Sequence, residues 1–517
     1  MSTGHDSGRR PRLQMFIGVA LRVHLDHALR VPAFLTALGV LLACAAPLAG
    51  QAVRVTGATT FRYIEIRPFV RDSVPADSAA GSGVLRQTAD GRVVRCVPGE
   101  AYCANVRPGG RTSSVPVMHD MEANAWGLGT GVRLFAHVRA RTSFGGDAGL
   151  WPRGDDAFDV LAMYGELERT RVRVRLGRQW QSTGLGFYNF DGLSVSVRPA
   201  RSVWVEAYGG RSLLRGLNES RGGGALEAVE AFAPPSSGVL LGTYARYRRD
   251  TRFAIGSGYH VEFRTDGRGL YSELAMADAM VRASGVSLAG SVELDVASAA
   301  LNEARLSVST GSLGRVMLNG ELRRYRPYFE LWTIWGAFDP VGFDEVRSGA
   351  AWSPTAHVIV RGEASYRRYG EAGRMQGLAA LRTDGWGLGA GVSWSPTARW
   401  QLDTSWHVEV AAGAARRDIQ GVLSRRFGDI ATLSMQGLAF QRFYEFRLDE
   451  STVAGLGAEA SVRASDRLRL FATAAAYRHL GAGDMAAMDW TQRRATLRVQ
   501  WTAGAEPGLP GAAERPR

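Results

Sequence analysis

The sequence contains no lysine. All 62 basic side chains among its 517 residues are arginine, whose guanidinium stays charged in almost any surroundings and grips carboxylate or phosphate with two N–H groups at once. Against 49 acidic residues this gives a formal charge of +13. The surplus forms no basic tail or basic helix. It is spread along alternating segments with carboxylates among them, which argues against nucleic acid as a partner. Cysteine is scarce as well, with three in the chain. Cys96 and Cys103 lie seven apart with no histidine nearby, which excludes a four-ligand zinc site, and no metal or other cofactor is expected. Beyond residue 53 there is no sustained helical periodicity, and no apolar run reaches the roughly 20 residues that a membrane-crossing helix needs. What is present is 63 glycines and 45% hydrophobic residues, too apolar for a disordered chain.

The N-terminus is set apart. Arg9, Arg10, Arg12, Arg22 and Arg30 precede an uncharged run from Val31 to Ala49 that ends in small residues. Basic, then apolar, then small is the order of a secretory signal peptide. Residues 1–52 are therefore expected to be removed, with Met15 as an alternative start. A membrane anchor over Val31–Ala52 is the rival reading, and Pro32, Pro47 and the small-residue end favour removal. The remainder carries 57 arginines and 47 acidic residues, a net of +10. An exported chain meets oxidising conditions, so Cys96 and Cys103 are expected to form a local disulfide.

From there to the end the pattern has period two. Val132, Leu134, Ala136, Val138 and Ala140 alternate with Arg133, His137, Arg139 and Arg141. Val172, Val174 and Leu176 alternate with Arg171, Arg173 and Arg175, and Val358, Val360, Ala364 and Tyr366 with His357, Arg361, Glu363 and Arg367. The last segment sets Ala495, Leu497, Val499 and Trp501 against Arg494, Thr496, Arg498 and Gln500. A soluble sandwich also alternates. These segments, however, run to roughly 10 to 14 residues, where soluble strands average about 5 to 6 and tilted membrane strands need about 9 to 11. Trp386, Trp394, Trp400 and Trp501 gather at the ends of oily faces, where amphipathic rings favour a membrane interface.

The connections point the same way. Trp352-Ser353-Pro354-Thr355-Ala356 recurs as Trp394-Ser395-Pro396-Thr397-Ala398, and both fall on short turns at one end. Long stretches at 71–116, 144–157, 181–190, 212–236, 325–342, 369–383 and 480–487 fall at the other. The fold class predicted is all-β: a transmembrane antiparallel up-and-down β-barrel over residues 53–501, about 22 strands within an even range of 16 to 22. Its short turns are periplasmic, its long loops extracellular, and residues 502–517 form a short flexible tail.

Gly177-Arg178-Gln179, then Phe190-Asp191-Gly192-Leu193, then Tyr208-Gly209-Gly210 resemble the strand, loop, strand passage of Gram-negative outer-membrane porins and alginate-export-type barrels. The likeness covers residues 170–211 and implies an arginine-lined passage for an anionic solute or acidic polysaccharide. Leu497, Val499 and Trp501 resemble the terminal-strand signal read by the barrel assembly machinery, although a tail follows them.

The expected function is thus an outer-membrane channel for passive passage or export of small anionic or sugar-like solutes, in contact with outer-membrane lipid and lipopolysaccharide. Arg133, Arg139, Arg141, Arg171, Arg173, Arg175, Arg361 and Arg367 are the candidate lumenal anion-selectivity residues. The blander reading pairs them with Glu166, Glu363 and Glu409 to stiffen the wall. Tyr325, Tyr328, Phe329, Trp332 and Trp335 crowd one loop, for sugar stacking or constriction, or for self-packing at the lipid interface. Gly385, Gly387, Gly389 and Gly391 leave one strand face bare, either widening the passage or receiving a loop. Histidines on polar faces lack a nucleophile in a recognisable setting, so no enzyme activity is expected. The start of the strands leaves no room for a plug of the TonB-dependent kind. A barrel sheathing a periplasmic or secreted partner is the alternative, with an outer-membrane hydrolase behind it.

Overall fold

The computed structural model describes residues 52–504, apart from 67–68, 82–84, 90–92, 98, 109, 146–157, 214–237, 265–268, 327–341, 371–382, 412–413, 446–447 and 482–489. Residues 1–51 of the expected signal segment and 505–517 of the expected tail lie outside them. Strand β1 (Ala52–Ile66) opens the chain. A small sheet follows, made of β2 (Phe69–Pro75), β3 (Ala79–Ala80), β4 (Leu85–Thr88), β5 (Val93–Cys96) and β6 (Tyr102–Pro108). The wall resumes with β7 (Thr112–Trp126), β8 (Val132–Gly145), β9 (Phe158–Glu168), β10 (Val172–Thr183), β11 (Gly186–Ala200) and β12 (Val203–Ser212). Next come β13 (Gly238–Arg249), β14 (Phe253–Arg264), β15 (Leu270–Ala283), β16 (Val286–Asp295), β17 (Ala300–Thr310) and β18 (Val316–Tyr325). It continues through β19 (Phe343–Thr355), β20 (Val358–Tyr369), β21 (Asp384–Thr397), β22 (Trp400–Val410) and β23 (Ala414–Phe427). It ends with β24 (Ala431–Glu445), β25 (Leu448–Ser465), β26 (Leu468–Gly481) and β27 (Trp490–Gly504).

Each wall strand pairs antiparallel with its sequence neighbour, and β1 pairs with both β7 and β27, closing a 22-stranded ring. The seam runs from Arg54 opposite Gly504 to Ile64 opposite Arg494, so β27 continues three residues beyond the expected end at 501. At this seam Gly57 faces Trp501, and a Cβ on Gly57 would stand 2.4 Å from the indole. Closure leaves no unpaired edge, which is what a sheet in lipid requires.

Side-chain alternation sorts the two faces as expected. Leu134, Leu176, Leu193, Leu241, Leu288, Leu306, Leu388 and Leu497 remain exposed on one face, and Glu166, Gln179, Glu206, His260, Glu262 and Glu345 are buried on the other. The exposed apolar face is the outside of the ring, an extent of oily surface that water does not tolerate on a monomer. Trp352, Trp394 and Trp400 stand exposed near the short turns, Tyr366 and Trp386 near the long-loop end. From Trp386 to Trp394 is about 27 Å of strand, which a tilt of about 40° reduces to about 21 Å, close to the roughly 25 Å apolar band of outer-membrane barrels.

Two expected long loops turn out differently. The stretch 71–116 carries its own five-stranded sheet in the order β2-β6-β5-β4-β3. Ala79, Val94, Cys96 and Cys103 form its core, and a disulfide joins Cys96 to Cys103, which stand opposite each other on β5 and β6. Short strands with so small a core escape a reading based on membrane-length alternation. The stretch 181–190 is no loop either: β10 and β11 run together as far as Thr183 opposite Gly186, with a two-residue turn.

Candidate functional site

Twenty-two strands spaced about 4.8 Å apart and tilted by about 40° make a wall about 140 Å round and about 44 Å across. Side chains alone do not fill that width, so whatever enters the lumen governs passage.

The β10–β11 hairpin enters it. The β9–β10 ladder stops at Arg178 opposite Met163, although β9 continues to Phe158. Beyond that point the hairpin leans inward. The crease lies at Gly177, Gly192 and Gly210, which are direct cross-strand neighbours on the inner face of three adjacent strands. A Cβ on Gly192 would come within 2.1 Å of the Gly209 carbonyl oxygen, and Gly177 holds φ +129°. Only glycine permits both the approach and the backbone angle. Directly above, the Arg178 guanidinium forks onto Asp191, Nε to Oδ1 at 2.7 Å and Nη2 to Oδ2 at 2.9 Å, while Nη1 donates to the Val160 carbonyl at 3.0 Å.

The folded hairpin packs on the inner wall. Tyr188 stacks on His260 with centroids 3.6 Å apart, and Phe190 buries against Tyr208 and Leu240. Ser194 donates to the Gln179 side-chain oxygen at 2.7 Å, and the Gln179 amide donates to the Gly192 carbonyl. At the tip, a Cβ on Gly184 would meet the Met276 side chain on β15 at 2.4 Å. The residues that carried the porin resemblance are thus the crease, the fork and the buried face of one lumenal element.

On the inner face elsewhere, arginine and carboxylate stand in ladders. Glu166, nearly buried, receives Arg175 Nε at 2.5 Å and faces Arg133 Nη1 at 3.6 Å, and Arg133 also donates to Asn124. Arg139 binds Asp120 at 2.7 Å, and Arg141 continues that face opposite Met118. Across β17 to β22, Arg323 binds Glu303 at 2.8 Å, and Glu345 accepts from Arg347 at 3.2 Å and Arg367 at 2.9 Å. Arg367 reaches Glu409 as well. Arg361 bonds the Ser393 hydroxyl and stands 3.7 Å from Asp403. Arg173 lies on the inner face between Glu168 and Ser196, whereas Arg171 sits in the turn, its carbonyl accepting from Arg198. Tyr325, Phe343 and Tyr369 form an aromatic row above the β18–β20 ladder, with Arg323 4.4 Å over Tyr325. Tyr328, Phe329, Trp332 and Trp335 lie outside the described residues.

Of the two readings of the lumenal arginines, these contacts fit the paired one for Arg133, Arg139, Arg175 and Arg367, which are engaged by carboxylates, so the wall there carries alternating charge. The bare β21 face neither widens the passage nor takes a loop among the described residues. Tyr369, Ser365 and Glu363 of β20 lie over Gly385, Gly387 and Gly389. The positive surplus is concentrated at the short turns. Arg198 and Arg201 flank one, Arg248, Arg249 and Arg252 the next, and Arg425, Arg426, Arg463 and Arg467 two more, against Asp250, Asp429 and Asp466. Among the described residues no group of acidic, histidine or cysteine side chains could hold a metal.

The sequence matches no model of a known protein family and no curated protein. Solved structures similar to it include the siderophore receptor PirA from Pseudomonas aeruginosa, with 9% identity and a TM-score of 0.49 over 87% of this chain and 80% of that one. A BenF-like porin from Pseudomonas fluorescens gives 9%, 0.39, 89% and 100%, and OccK2 from Pseudomonas aeruginosa gives 10%, 0.39, 89% and 99%. These neighbours are outer-membrane porins and receptors. At such identities and TM-scores the likeness carries no argument, and the barrel is established by its own closed ladder.

Proposed function

We propose that this chain is an outer-membrane channel through which small anionic or sugar-like solutes pass, with no catalytic role. The observation that carries this reading is the closed ring with an oily outside and an inner wall of paired arginine and carboxylate, narrowed by a folded hairpin. Lumenal ion pairs keep the passage wet and its walls stiff, because each charge keeps a partner without lipid contact. The arginine-rich short-turn end supplies the sign. A mouth lined by one charge focuses potential and raises the local concentration of the opposite ion. The outer belt sits against outer-membrane lipid and lipopolysaccharide, the short turns face the periplasm, and insertion depends on the barrel assembly machinery. Single-channel recording in a salt gradient tests this. A reversal potential favouring anions supports it, a cation preference removes the anionic assignment, and absence of conductance favours the sheathing alternative.

A further inference from the structure

Arg463 and Arg469 stand directly opposite each other on the inner face of β25 and β26, beside a short turn. Like charges in direct cross-strand register are destabilising, and where Arg305 stands opposite Arg323 in the same sheet, Glu303 binds both. The neighbouring strands add more of the same sign. Arg426 lies opposite Thr432 on the inner face of β23 and β24, and Arg498 opposite Phe471 on β26 and β27. Arg426, Arg463 and Arg469 line a cavity of about 360 Å³ together with Asp429, Thr432 and Ser461, within the range of small-molecule sites.

The carboxylates at hand do not balance this group. Asp466 takes one Arg463 nitrogen from an exposed turn position. Among the described residues Arg426, Arg469 and Arg498 have no ion pair. This contrasts with the ladders elsewhere on the inner face, where Glu166, near another short turn, and Glu345, toward the long-loop end, each serve two arginines.

We infer that the cavity at the short-turn mouth between β23 and β26 is a binding site for a phosphate-bearing solute, where the anion takes the place of the missing carboxylates. A tetrahedral dianion brings more acceptor oxygens and twice the charge of a monocarboxylate, so it can take forked N–H pairs from two guanidinium groups and offset more of the positive surplus. The Thr432 and Ser461 hydroxyls lining the same cavity add neutral donors. The inference rests on the channel reading for its meaning, as a loading point for anionic cargo, and not for its existence.

The test is therefore binding, with inorganic phosphate as the probe and acetate as the control, on the detergent-solubilised full barrel. Calorimetric titration of the wild type is expected to show phosphate binding, weakened by at least ~10-fold in Arg463→Ser/Arg469→Ser and absent for acetate. Arg469→Lys, which keeps the charge and loses the fork, is expected to fall between. Phosphate is also expected to raise the thermal midpoint of the wild type and not of the double variant. Folding of each variant is checked by heat-modifiable migration. In that folded material, equal phosphate affinity in the wild type and the double variant overturns the site, as does a wild type that takes up no phosphate or does not distinguish it from acetate. Recording in bilayers is separate. Phosphate binding by a barrel that passes no current leaves the site standing and removes the channel.

Discussion

Tyr188 and His260 lie 72 positions apart in sequence and face to face in the barrel, with ring centroids 3.6 Å apart and planes 17° from parallel. One ring comes from the hairpin between β10 and β11, the other from the inner wall of β14. Their contact holds the hairpin down inside the lumen. Tyr188→Ala removes that contact, worth about 1 to 2 kcal/mol for a stacked pair with its buried area, and leaves the membrane-facing wall untouched. The expected outcome is a larger or noisier unitary conductance with unchanged heat-modifiability. Deleting 181–188 should enlarge it further. Equal conductance in both variants would mean that the hairpin does not narrow the passage.

The crease beneath this hairpin depends on an absence of side chains. At Gly192 even a methyl group would collide with the Gly209 carbonyl and the Gly210 Cα, at 2.1 and 2.7 Å. Backbone on both sides leaves no flexible side chain to yield, so the cost exceeds the roughly 1 to 3 kcal/mol of ordinary overpacking. Gly192→Val is expected to lower the urea midpoint or to stop assembly, and Gly362→Val, at a wall glycine with open space at its Cβ, is the matched control. Equal loss in both would show that the crease is not special.

Glu345 and Arg367 make opposite predictions for selectivity. The Glu345 side chain is 1% exposed and serves Arg347 and Arg367 together. Glu345→Gln leaves two guanidinium groups short of charge, and Arg367→Gln leaves Glu345 and Glu409 so. Each change is expected to cost about 2 to 4 kcal/mol, below the full penalty of a buried pair because Arg367 remains partly in water. In reversal-potential measurements Glu345→Gln should shift the channel toward anions and Arg367→Gln toward cations. Shifts of the same sign would indicate that the ladder acts on structure and not on the field in the lumen.

Cys96 and Cys103 hold together a sheet whose described core is four small residues, while the barrel seam relies on β1 pairing with β7 and β27. Replacing both with serine should therefore leave the barrel transition unchanged and expose the 79–108 segment to trypsin at Arg86 and Arg95. A lowered barrel transition would tie the small sheet to the wall.

How much of this was legible in the sequence follows from period and length. Leu134 and Arg133, or Leu497 and Arg498, reveal their faces because membrane-length alternation repeated along the whole chain points to a tilted barrel strand, and the short turns set the strand tally. The hairpin at 181–190 reads as a loop because Ser182, Thr183, Gly184 and Gly186 give it no oily face, and only Gly177, Gly192 and Gly210, in register across three strands, mark the fold inward. That register is a property of pairing and does not show in a linear reading. The arginines were ambiguous for the same reason. Whether Arg175 and Arg367 face the passage or pair along the wall is undecided in the linear sequence until the cross-strand positions of Glu166, Glu345 and Glu409 are known.

The seam offers the sharpest stability test. Trp501 on the last strand covers Gly57 on the first, beside the cluster of Val55, Met121 and Val138. Trp501→Ala uncovers this patch and should cost about 2 to 3 kcal/mol, less than the 3 to 5 of a fully buried tryptophan. Gly57→Ala places a methyl where the indole lies and should destabilise by a comparable amount through overpacking. In the double variant the methyl occupies space the indole has vacated, so the two losses should fall short of adding, with a coupling of about 1 kcal/mol or more in urea titrations. Strict additivity would mean that the two residues do not share the seam, and that β1 and β27 close the ring by backbone pairing alone.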